Sequence, residues 1–229
     1  MEYNNKEFCL EVTGRYACFT RPEFKVERVS YDVITPSAVR GIFEAILWKP
    51  SVRWIPTRIE VLSPLGKWAS IQRNEVAGLA STRVQELFAE DRRQQKSSQV
   101  LKDVHYRIHA ELEYVPISKR LKEHRQNNSD VKDDCISKYN SMFERRAAKG
   151  QHFMHPYLGC REFSCSRVRL VVDAGTEKVK PIKDSYDFGY MLFDQDYSDP
   201  ANTISLFYRA QMIQGIIEIP RNDSKEVKR

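Results

Sequence analysis

The stretch that most constrains the fold is VHYRIHAELEYV, residues 104–115, in which apolar and polar side chains alternate strictly. Period-two alternation over this length is typical of a β-strand with one face on a core and the other toward polar surroundings. The apolar side chains predicted to share one face are Val104, Tyr106, Ile108, Ala110, Leu112 and Tyr114. The chain therefore needs a sheet that is covered on one side, and other segments must supply the cover.

Two helices can provide that cover. Thr35 is a favourable N-cap, Pro36 suits the first helical position, and Pro50 marks the stop. Between them, apolar residues recur at helical spacing, namely Val39, Ile42, Phe43 and Ile46. The segment ISKYNSMFERRAAKG, residues 136–150, is predicted to form the second helix, ended by Gly150.

Further alternating segments predict strands around these helices. Residues 7–19 predict a strand with a break or bulge at Gly14, Ile59 and Val61 belong to a second strand, and residues 161–172 predict another. The resulting order of strand, helix, strand, strand, helix, strand is that of the ferredoxin-like split βαβ unit, which RNA-recognition domains share.

These segments predict an α+β protein with two domains. Residues 1–170 would form a ferredoxin-like (RRM-like) domain, interrupted near residues 67–100 by a charged insertion that fits a mobile segment or a short helix better than core. YDFGYMLFD, ISLFYRAQM and GIIEIP are short strand-like pieces. They predict a small antiparallel β domain over residues 171–229, which ends in a polar tail.

Charge and composition limit the partners and the compartment. A formal net charge of +6 and an isoelectric point near 9.0 favour a polyanion as partner. No apolar run approaches the roughly 20 residues of a membrane span, and MEYNNKEF lacks the regions of a signal peptide, so we expect a cytoplasmic protein with no membrane partner. The five cysteines include no C-x-x-C pair, which favours reduced thiols over a disulfide framework or a zinc ribbon.

The first candidate binding surface precedes and enters the first helix. Its cations can hold phosphates and its rings, Phe24 and Tyr31, can stack on bases. The cations are Arg21, Lys25, Arg28 and Arg40. The alternative is an ordinary charged loop neutralised by nearby glutamates.

The second helix and the loop after it form another group of candidates. The cations and the phenol there are Lys138, Tyr139, Arg145, Arg146 and Lys149. His152 and His155 follow, and because no nearby carboxylate or thiolate completes a ligand set, we expect neither a metal site nor a cofactor. RNA cleavage needs neither, since the 2′-hydroxyl beside a phosphate can attack it if a base takes the proton and cations stabilise the developing charge.

Several long motifs carry a family resemblance. They are GRYACFTRPEFKVERVSYDVITPSAVRGIFEAILWKP, LKDVHYRIHAELEY, KYNSMFERRAAKGQHFMHPYLGCREF, YDFGYMLFD and LFYRAQMIQGIIEIP. In this order they cover nearly the whole chain. The chain resembles the subtype I-C (Dvulg) branch of the CRISPR-associated Cas-five family, within the repeat-associated (RAMP) superfamily.

The resemblance implies a function and partners. Members of this branch cut precursor CRISPR RNA in its repeats without metal, leave a 5′-hydroxyl and a 2′,3′-cyclic phosphate, and stay on the 5′ handle as a subunit of the type I-C interference complex. The implied partners are CRISPR repeat RNA, as precursor and as mature crRNA, and the other subunits. Duplex DNA is an open alternative, because the electrostatic attraction does not distinguish polyanions.

The sequence departs from one familiar version of the family's active site. Some members carry a tyrosine where this chain has Leu47, and a Lys-His pair where it has Ser137 and Lys138. The resemblance then leaves Lys138 as base or phosphate clamp, aided by Tyr139 and by His152 or His155. Trp48 and Lys49 would lie near the cleavage site. A non-catalytic subunit that grips the handle and a generic RNA-binding module are the alternatives, and cleavage is the favoured hypothesis.

Overall fold

The structure is a computed structural model and describes residues 5–24, 26–76, 88–120, 134–199 and 202–229. Within these ranges the chain forms nine strands and two α-helices. The strands are β1 (Lys6–Ala17), β2 (Arg28–Val29), β3 (Val52–Val61), β4 (Trp68–Val76), β5 (Arg93–Tyr114), β6 (Arg167–Val171), β7 (Tyr186–Asp196), β8 (Ile204–Ile213) and β9 (Ile216–Glu218). The helices are α1 (Pro36–Ile46) and α2 (Ile136–Ala148).

Antiparallel pairing joins most strands into one sheet, in the order β6-β1-β5-β3-β9-β8-β7. β5 is the organising strand: its second half pairs with β1 and β3, and its first half pairs with β4 and, in parallel, with β2. The strand predicted over residues 104–114 is this second half. Its apolar side chains from Val104 to Leu112 are buried, which confirms the predicted core face.

α1 begins and packs as its sequence predicts. The Thr35 hydroxyl accepts a hydrogen bond from the Ala38 backbone N–H at 3.4 Å, and Pro36 is the first helical residue. The predicted apolar face is buried against the sheet. α1 ends at Ile46, four residues before Pro50, and the intervening residues form the turn into β3.

An aromatic cluster fixes both helices on the same face of the sheet. Phe8 of β1, Phe43 of α1, Trp54 of β3 and Phe143 of α2 are all buried. The ring centroids of Trp54 and Phe143 are 4.5 Å apart, and those of Phe43 and Trp54 are 4.9 Å apart. Rings of this size contribute much of a core's buried apolar area, so their contacts determine where the helix ends lie.

The sequence predicted a break or bulge at Gly14, but β1 continues through this residue. The pairing of β1 with β5 keeps one register on both sides of the glycine. A Cβ atom at Gly14 would lie 2.1 Å from Leu158 Cδ1. The glycine therefore leaves room for the segment that follows α2, and the prediction of a break or bulge was wrong.

The charged segment near residues 67–100 is largely extended. β4 and the first part of β5 form an antiparallel ribbon, and residues 77–87 lie outside the described ranges. Side chains along β4 alternate between exposed and half-buried, with none fully buried. The described part is mainly strand, with one 3-10 turn at Ala89–Arg92. The sequence did not reveal the ribbon, because a ribbon without a buried face needs no apolar alternation. That the insertion is mobile stays a prediction.

The C-terminal strands are continuous with the main sheet in the described residues. β7, β8 and β9 form the antiparallel group that the sequence predicts, and β9 pairs with β3 through Ile59 and Ile217. The division into domains 1–170 and 171–229 stays a prediction. Within the described ranges neither helix combines the length and the apolar character needed to span a bilayer.

Candidate nucleic-acid interface

The turn between α1 and β3 carries two candidate RNA-contacting side chains, Trp48 and Lys49, directly after the buried Leu47. Leu47 is fully buried, its backbone N–H donates to Phe43 O at 3.0 Å, and its carbonyl accepts a hydrogen bond from Trp54 Nε1 at 2.8 Å. The next two side chains turn outward: Trp48 is 51% exposed, and Lys49 is exposed. Burial of Leu47 thus fixes the direction in which Trp48 and Lys49 point.

Beside this turn lies a cleft of about 880 Å³. α1, the beginning of β3, the end of β7 and the C-terminal tail line it, and its cationic side chains outnumber its acidic ones. The cations are Arg40, Lys49, Arg53, Lys119, Arg120, Arg221 and Arg229. Five of these cations lie within ion-pair distance of a carboxylate, and among the described residues Lys49 and Lys119 do not. Trp48 contributes an indole to the wall, so the cleft combines a ring surface with these two lysines, a combination that suits single-stranded nucleic acids.

Arg40 lies in the cleft but is held by internal contacts. Its guanidinium forms two hydrogen bonds to the Asp194 carboxylate, at 2.8 and 2.9 Å, and a third to Glu44 at 2.9 Å. The bidentate pair fastens α1 to β7, which is a structural task. The pKa of Arg40 is raised, because these carboxylates outweigh the opposing effect of burial.

The other cations of the first predicted surface are also partnered. Arg21 lies 3.2 Å from Asp32 Oδ2 and covers the Tyr31 ring, while Arg28 donates to Glu162 at 2.9 Å. Lys25 lies outside the described residues. Glu162 and Asp194, which hold Arg28 and Arg40, are far away in sequence, so the residue pattern alone did not reveal these two pairs.

Tyr139 is an anchor in this structure. It is buried, its hydroxyl donates to Asp134 Oδ1 at 2.5 Å, and a second hydrogen bond of 3.0 Å joins it to Ser51 Oγ. Burial and the carboxylate raise the pKa of Tyr139 to about 12. Arg120 also donates to Asp134, at 2.6 Å, so a small network ties the first turn of α2 to the end of the α1–β3 turn.

The loop after α2 docks on α1. The Phe153 backbone N–H donates to Ala45 O, in the last turn of α1, at 3.0 Å. The rings of His152 and His155 on either side are exposed, and their centroids lie 5.0 Å apart in an edge-on arrangement. His155 Nε2 is 3.2 Å from Cys165 O, to which it donates, so its Nδ1 is left as the acceptor in the neutral ring.

The structure separates the four predicted catalytic side chains into two groups. Lys138 and Tyr139 belong to the first turn of α2, and His152 and His155 lie beyond its end. Ten helical residues, at about 1.5 Å each, place roughly 15 Å between Lys138 and Ala148 along the axis. We therefore expect one scissile phosphate to contact one group or the other. Tyr139 and the Phe153 backbone both contact the segment from Ala45 to Ser51.

The last turn of α2 carries the least compensated cations of the predicted set. Arg145 and Lys149 are exposed and Arg146 is half-buried. Among the described residues, no carboxylate lies within ion-pair distance of these three side chains. Because Arg145 and Lys149 are exposed and need not break an ion pair within the described part of the chain, they can bind phosphates at little cost. The described residues also contain no group of three metal-ligating side chains that could hold an ion.

Fold and surface together define the class: an α+β protein with a large antiparallel sheet, two helices on one face, and a cation-rimmed cleft that carries an exposed indole. A family model described as CRISPR-associated protein (Cas_Cas5) matches residues 8–220. The chain therefore belongs to the CRISPR-associated Cas5 family, in the Cas5d branch of type I-C systems.

Two curated relatives extend over nearly the full chain. Both are named CRISPR pre-crRNA endoribonuclease Cas5d. The protein from Mannheimia succiniciproducens is 42% identical over 96% of this chain and 97% of its own length. The protein from Thermus thermophilus is 39% identical over 96% of this chain and 94% of its own length.

Solved structures show the same fold at lower identity. One titled as a CRISPR-associated protein matches with a TM-score of 0.70 and 24% identity over the whole of both chains. A functionally uncharacterised protein from Streptococcus mutans, SMU1763c, matches with a TM-score of 0.68 and 21% identity over the whole of both chains. A chain of a CRISPR RNA-guided surveillance complex matches with a TM-score of 0.55 and 13% identity, over 94% of this chain and 91% of that one.

Proposed function

We propose that this chain is an endoribonuclease that cleaves precursor CRISPR RNA within its repeats. The observation that carries the proposal is the similarity to two proteins named pre-crRNA endoribonucleases, at 42% and 39% identity over 96% of the chain. The cleft beside Trp48 and Lys49 supports it, because an exposed indole next to an exposed lysine suits single-stranded RNA. The RNA would lie along this face of the molecule.

The strand order supports a finer description of the fold. In the order β6-β1-β5-β3, α1 connects β1 to β3 and α2 connects β5 to β6. All neighbours in this set are antiparallel. We assign this part of the chain to the ferredoxin-like topology, in which βαβ units are split by an intervening strand.

The proposed reaction is metal-independent attack by the RNA's own 2′-hydroxyl. That oxygen bonds to the adjacent phosphorus, the bond to the 5′-oxygen breaks, and the products are a 2′,3′-cyclic phosphate and a 5′-hydroxyl. A base must take the 2′-proton, an acid must protonate the departing oxygen, and cations must stabilise the phosphate charge.

The loop histidines are the best placed pair for these proton transfers. His152 and His155 are exposed, adjacent and docked against the end of α1, and imidazole can accept or donate a proton at neutral pH. We assign His152 as the base and His155 as the acid. Lys149 precedes this loop in the chain, and Lys49 follows Ala45, which the loop contacts through the Phe153 backbone. Both lysines would stabilise the phosphate.

Lys138 and Tyr139 take different roles in this proposal. Tyr139 is buried and hydrogen-bonded, so it holds the α1–β3 turn in place through Ser51. Lys138 is exposed on the first turn of α2, close in sequence to that anchor, and would clamp a phosphate further along the RNA. Arg145 and Arg146 continue the same basic surface.

Retention of the product and assembly with other subunits complete the proposal. The handle left by cleavage would stay on the basic face, and other subunits of a type I-C interference complex would join the same particle. The fold likeness to a chain of a CRISPR RNA-guided surveillance complex is compatible with such an assembly. A cytoplasmic location stays a prediction from the sequence.

Single-turnover cleavage of the cognate repeat RNA tests the assignment of the base. We expect His152→Ala to lower the rate at least about 100-fold, since general base catalysis is worth roughly 10²–10⁴. Lys138→Ala should lower it less than about 10-fold. His105→Gln is the matched control, because His105 lies on the sheet face away from the helices and pairs with Glu11 at 3.2 Å. A larger loss in Lys138→Ala than in His152→Ala would move the active site to the first turn of α2.

A further inference from the structure

Two cysteines from distant parts of the chain meet beside β1. Cys18 directly follows β1, and Cys160 lies in the segment between α2 and β6. Cys160 Sγ is 3.4 Å from the Cys18 carbonyl oxygen, to which its thiol donates. Both sulfur atoms approach the Thr20 hydroxyl, at 3.5 and 3.6 Å.

The backbones on either side of the pair are already in contact. The Cys18 backbone N–H donates to Leu158 O at 3.0 Å. A Cβ atom on Gly159 would lie 2.1 Å from the Cys18 carbonyl oxygen, so glycine is required for this close approach. A disulfide needs its two Cα atoms about 4.4–6.8 Å apart, and segments packed this closely need little movement to meet that condition.

The two thiols differ in exposure and in charge. Cys18 is 1% exposed, whereas Cys160 is half-buried and lies 3.4 Å from Arg28 Nη1. The hydrogen bond from the Cys18 thiol lowers the pKa of Cys160, and Thr20 and Arg28 lower it further against the opposing effect of burial. The same hydrogen bond and burial raise the pKa of Cys18. Cys160 is therefore the nucleophilic member, and Cys18 stays a thiol.

We propose that Cys160 and Cys18 form an oxidation site for hydroperoxides, in which Cys160 reacts first and Cys18 closes a disulfide. The Cys160 sulfur attacks one peroxide oxygen, the O–O bond breaks, and a sulfenic acid forms. The Cys18 sulfur then attacks the Cys160 sulfur, the S–S bond forms, and the S–O bond breaks with loss of water. With hydrogen peroxide, the two thiols give up two electrons and two protons in total, and the peroxide leaves as two water molecules.

The disulfide would join the end of β1 to the segment that precedes β6. It would also take up the sulfur that accepts a hydrogen bond from Arg28, one of the predicted RNA-contacting cations. The modification does not depend on RNA cleavage, so its test stands apart from that of the proposed function. In a reducing compartment such a bond is transient, as expected of a thiol pair that responds to oxidants.

Peptide mapping of the reduced full-length chain tests the proposal. After brief exposure to hydrogen peroxide, free thiols are alkylated, and trypsin releases residues 16–25 and 150–161, since Arg21 precedes proline. We expect these two peptides to be joined, and dithiothreitol to separate them. Full alkylation of Cys18 and Cys160 after the treatment, or equal linkage of either one to Cys135, would overturn the proposal.

Variants separate the roles of the two sulfurs. Cys18→Ser should stop at a sulfenic acid on Cys160, which dimedone traps, and Cys160→Ser should leave Cys18 unoxidised. Arg28→Met should slow the reaction of Cys160 at least about five-fold, because a neighbouring cation favours the thiolate. Cys135→Ala is the control and should react like the wild type. Oxidation of Cys18 in the absence of Cys160 would contradict the assigned order.

Discussion

The Tyr139 hydroxyl lies 3.0 Å from Ser51 Oγ and ties the first turn of α2 to the turn between α1 and β3. This contact joins residues 88 positions apart, and the turn it holds carries Trp48 and Lys49. Tyr139, a side chain of a type used in proton transfer, thus positions the surface that we propose contacts RNA.

Tyr139→Phe should therefore act first on stability. Loss of the hydrogen bonds to Asp134 and Ser51 should cost about 1–2 kcal/mol of unfolding free energy, measured by urea denaturation. Cleavage should slow less than about 10-fold, because the turn loosens but no reacting group is lost. Tyr190→Phe is the control, since Tyr190 is 60% exposed. A loss of cleavage above 100-fold with unchanged stability would assign the proton transfer to Tyr139.

Arg40→Met should separate α1 from β7. The bidentate hydrogen bonds to Asp194 are lost, and we expect the unfolding free energy to fall by about 2–3 kcal/mol. Arg53→Met is the matched control, because Arg53 is largely exposed and 3.6 Å from Glu113, and it should cost less than about 0.5 kcal/mol. If Arg40→Met left the unfolding free energy unchanged but weakened RNA binding, Arg40 would be a phosphate contact, as the sequence analysis proposed.

Asp134 should make stability depend on acid pH. Burial acts to raise its pKa, but hydrogen bonds from Tyr139 and Arg120 outweigh burial and lower the pKa below the usual value. A carboxylate with a lowered pKa in the folded state stabilises it above the unfolded pKa of about 3.9, and this stabilisation is lost as pH falls through the folded pKa. The stability difference between wild type and Asp134→Asn should be full at pH 7 and shrink below about pH 4. A difference that stays constant down to pH 3 would contradict this.

The double variant Arg145→Ala/Lys149→Ala should weaken RNA binding in a salt-dependent way. Each phosphate contact to a single strand contributes about 0.7 to the slope of log affinity against log salt, so the slope should become shallower by about 1–1.5. Lys67→Ala/Lys183→Ala removes two exposed cations that lie outside both α2 and the cleft lining, and should leave the slope unchanged. Equal slopes in the two double variants would exclude the end of α2 from the RNA path.

The elements that the sequence predicted well are those with local signals. α1 has its cap, proline and apolar spacing within a dozen residues, and the core half of β5 has a strict alternation. The ribbon of β4 and early β5 was missed because neither face needs to be apolar. Gly14 was misread because the reason for it, Leu158, lies 144 residues away.

In the candidate site, too, the features with local sequence signals were predicted and those that depend on long-range contacts were not. Residue types correctly marked the end of α2 as basic. They did not decide whether Trp48 belongs to the core or to the surface, and in the structure it is exposed, next to the exposed Lys49. The sequence could not show that Arg40 is held by Asp194, or that Tyr139 is held by Ser51, because these pairings arise from the tertiary fold. The sequence also could not show that the length of α2 separates Lys138 from His152 and His155. Catalytic candidates that are close in sequence need not contact the same phosphate.

Cleavage of the cognate repeat RNA by the purified protein in EDTA, with both product ends mapped, distinguishes an endoribonuclease from a binding subunit. We expect a single cut that leaves a 5′-hydroxyl and a 2′,3′-cyclic phosphate, and we expect the His152→Ala/His155→Ala variant to lose it. Intact RNA in a stable complex would contradict this expectation and would make the chain a subunit that grips the handle without cutting.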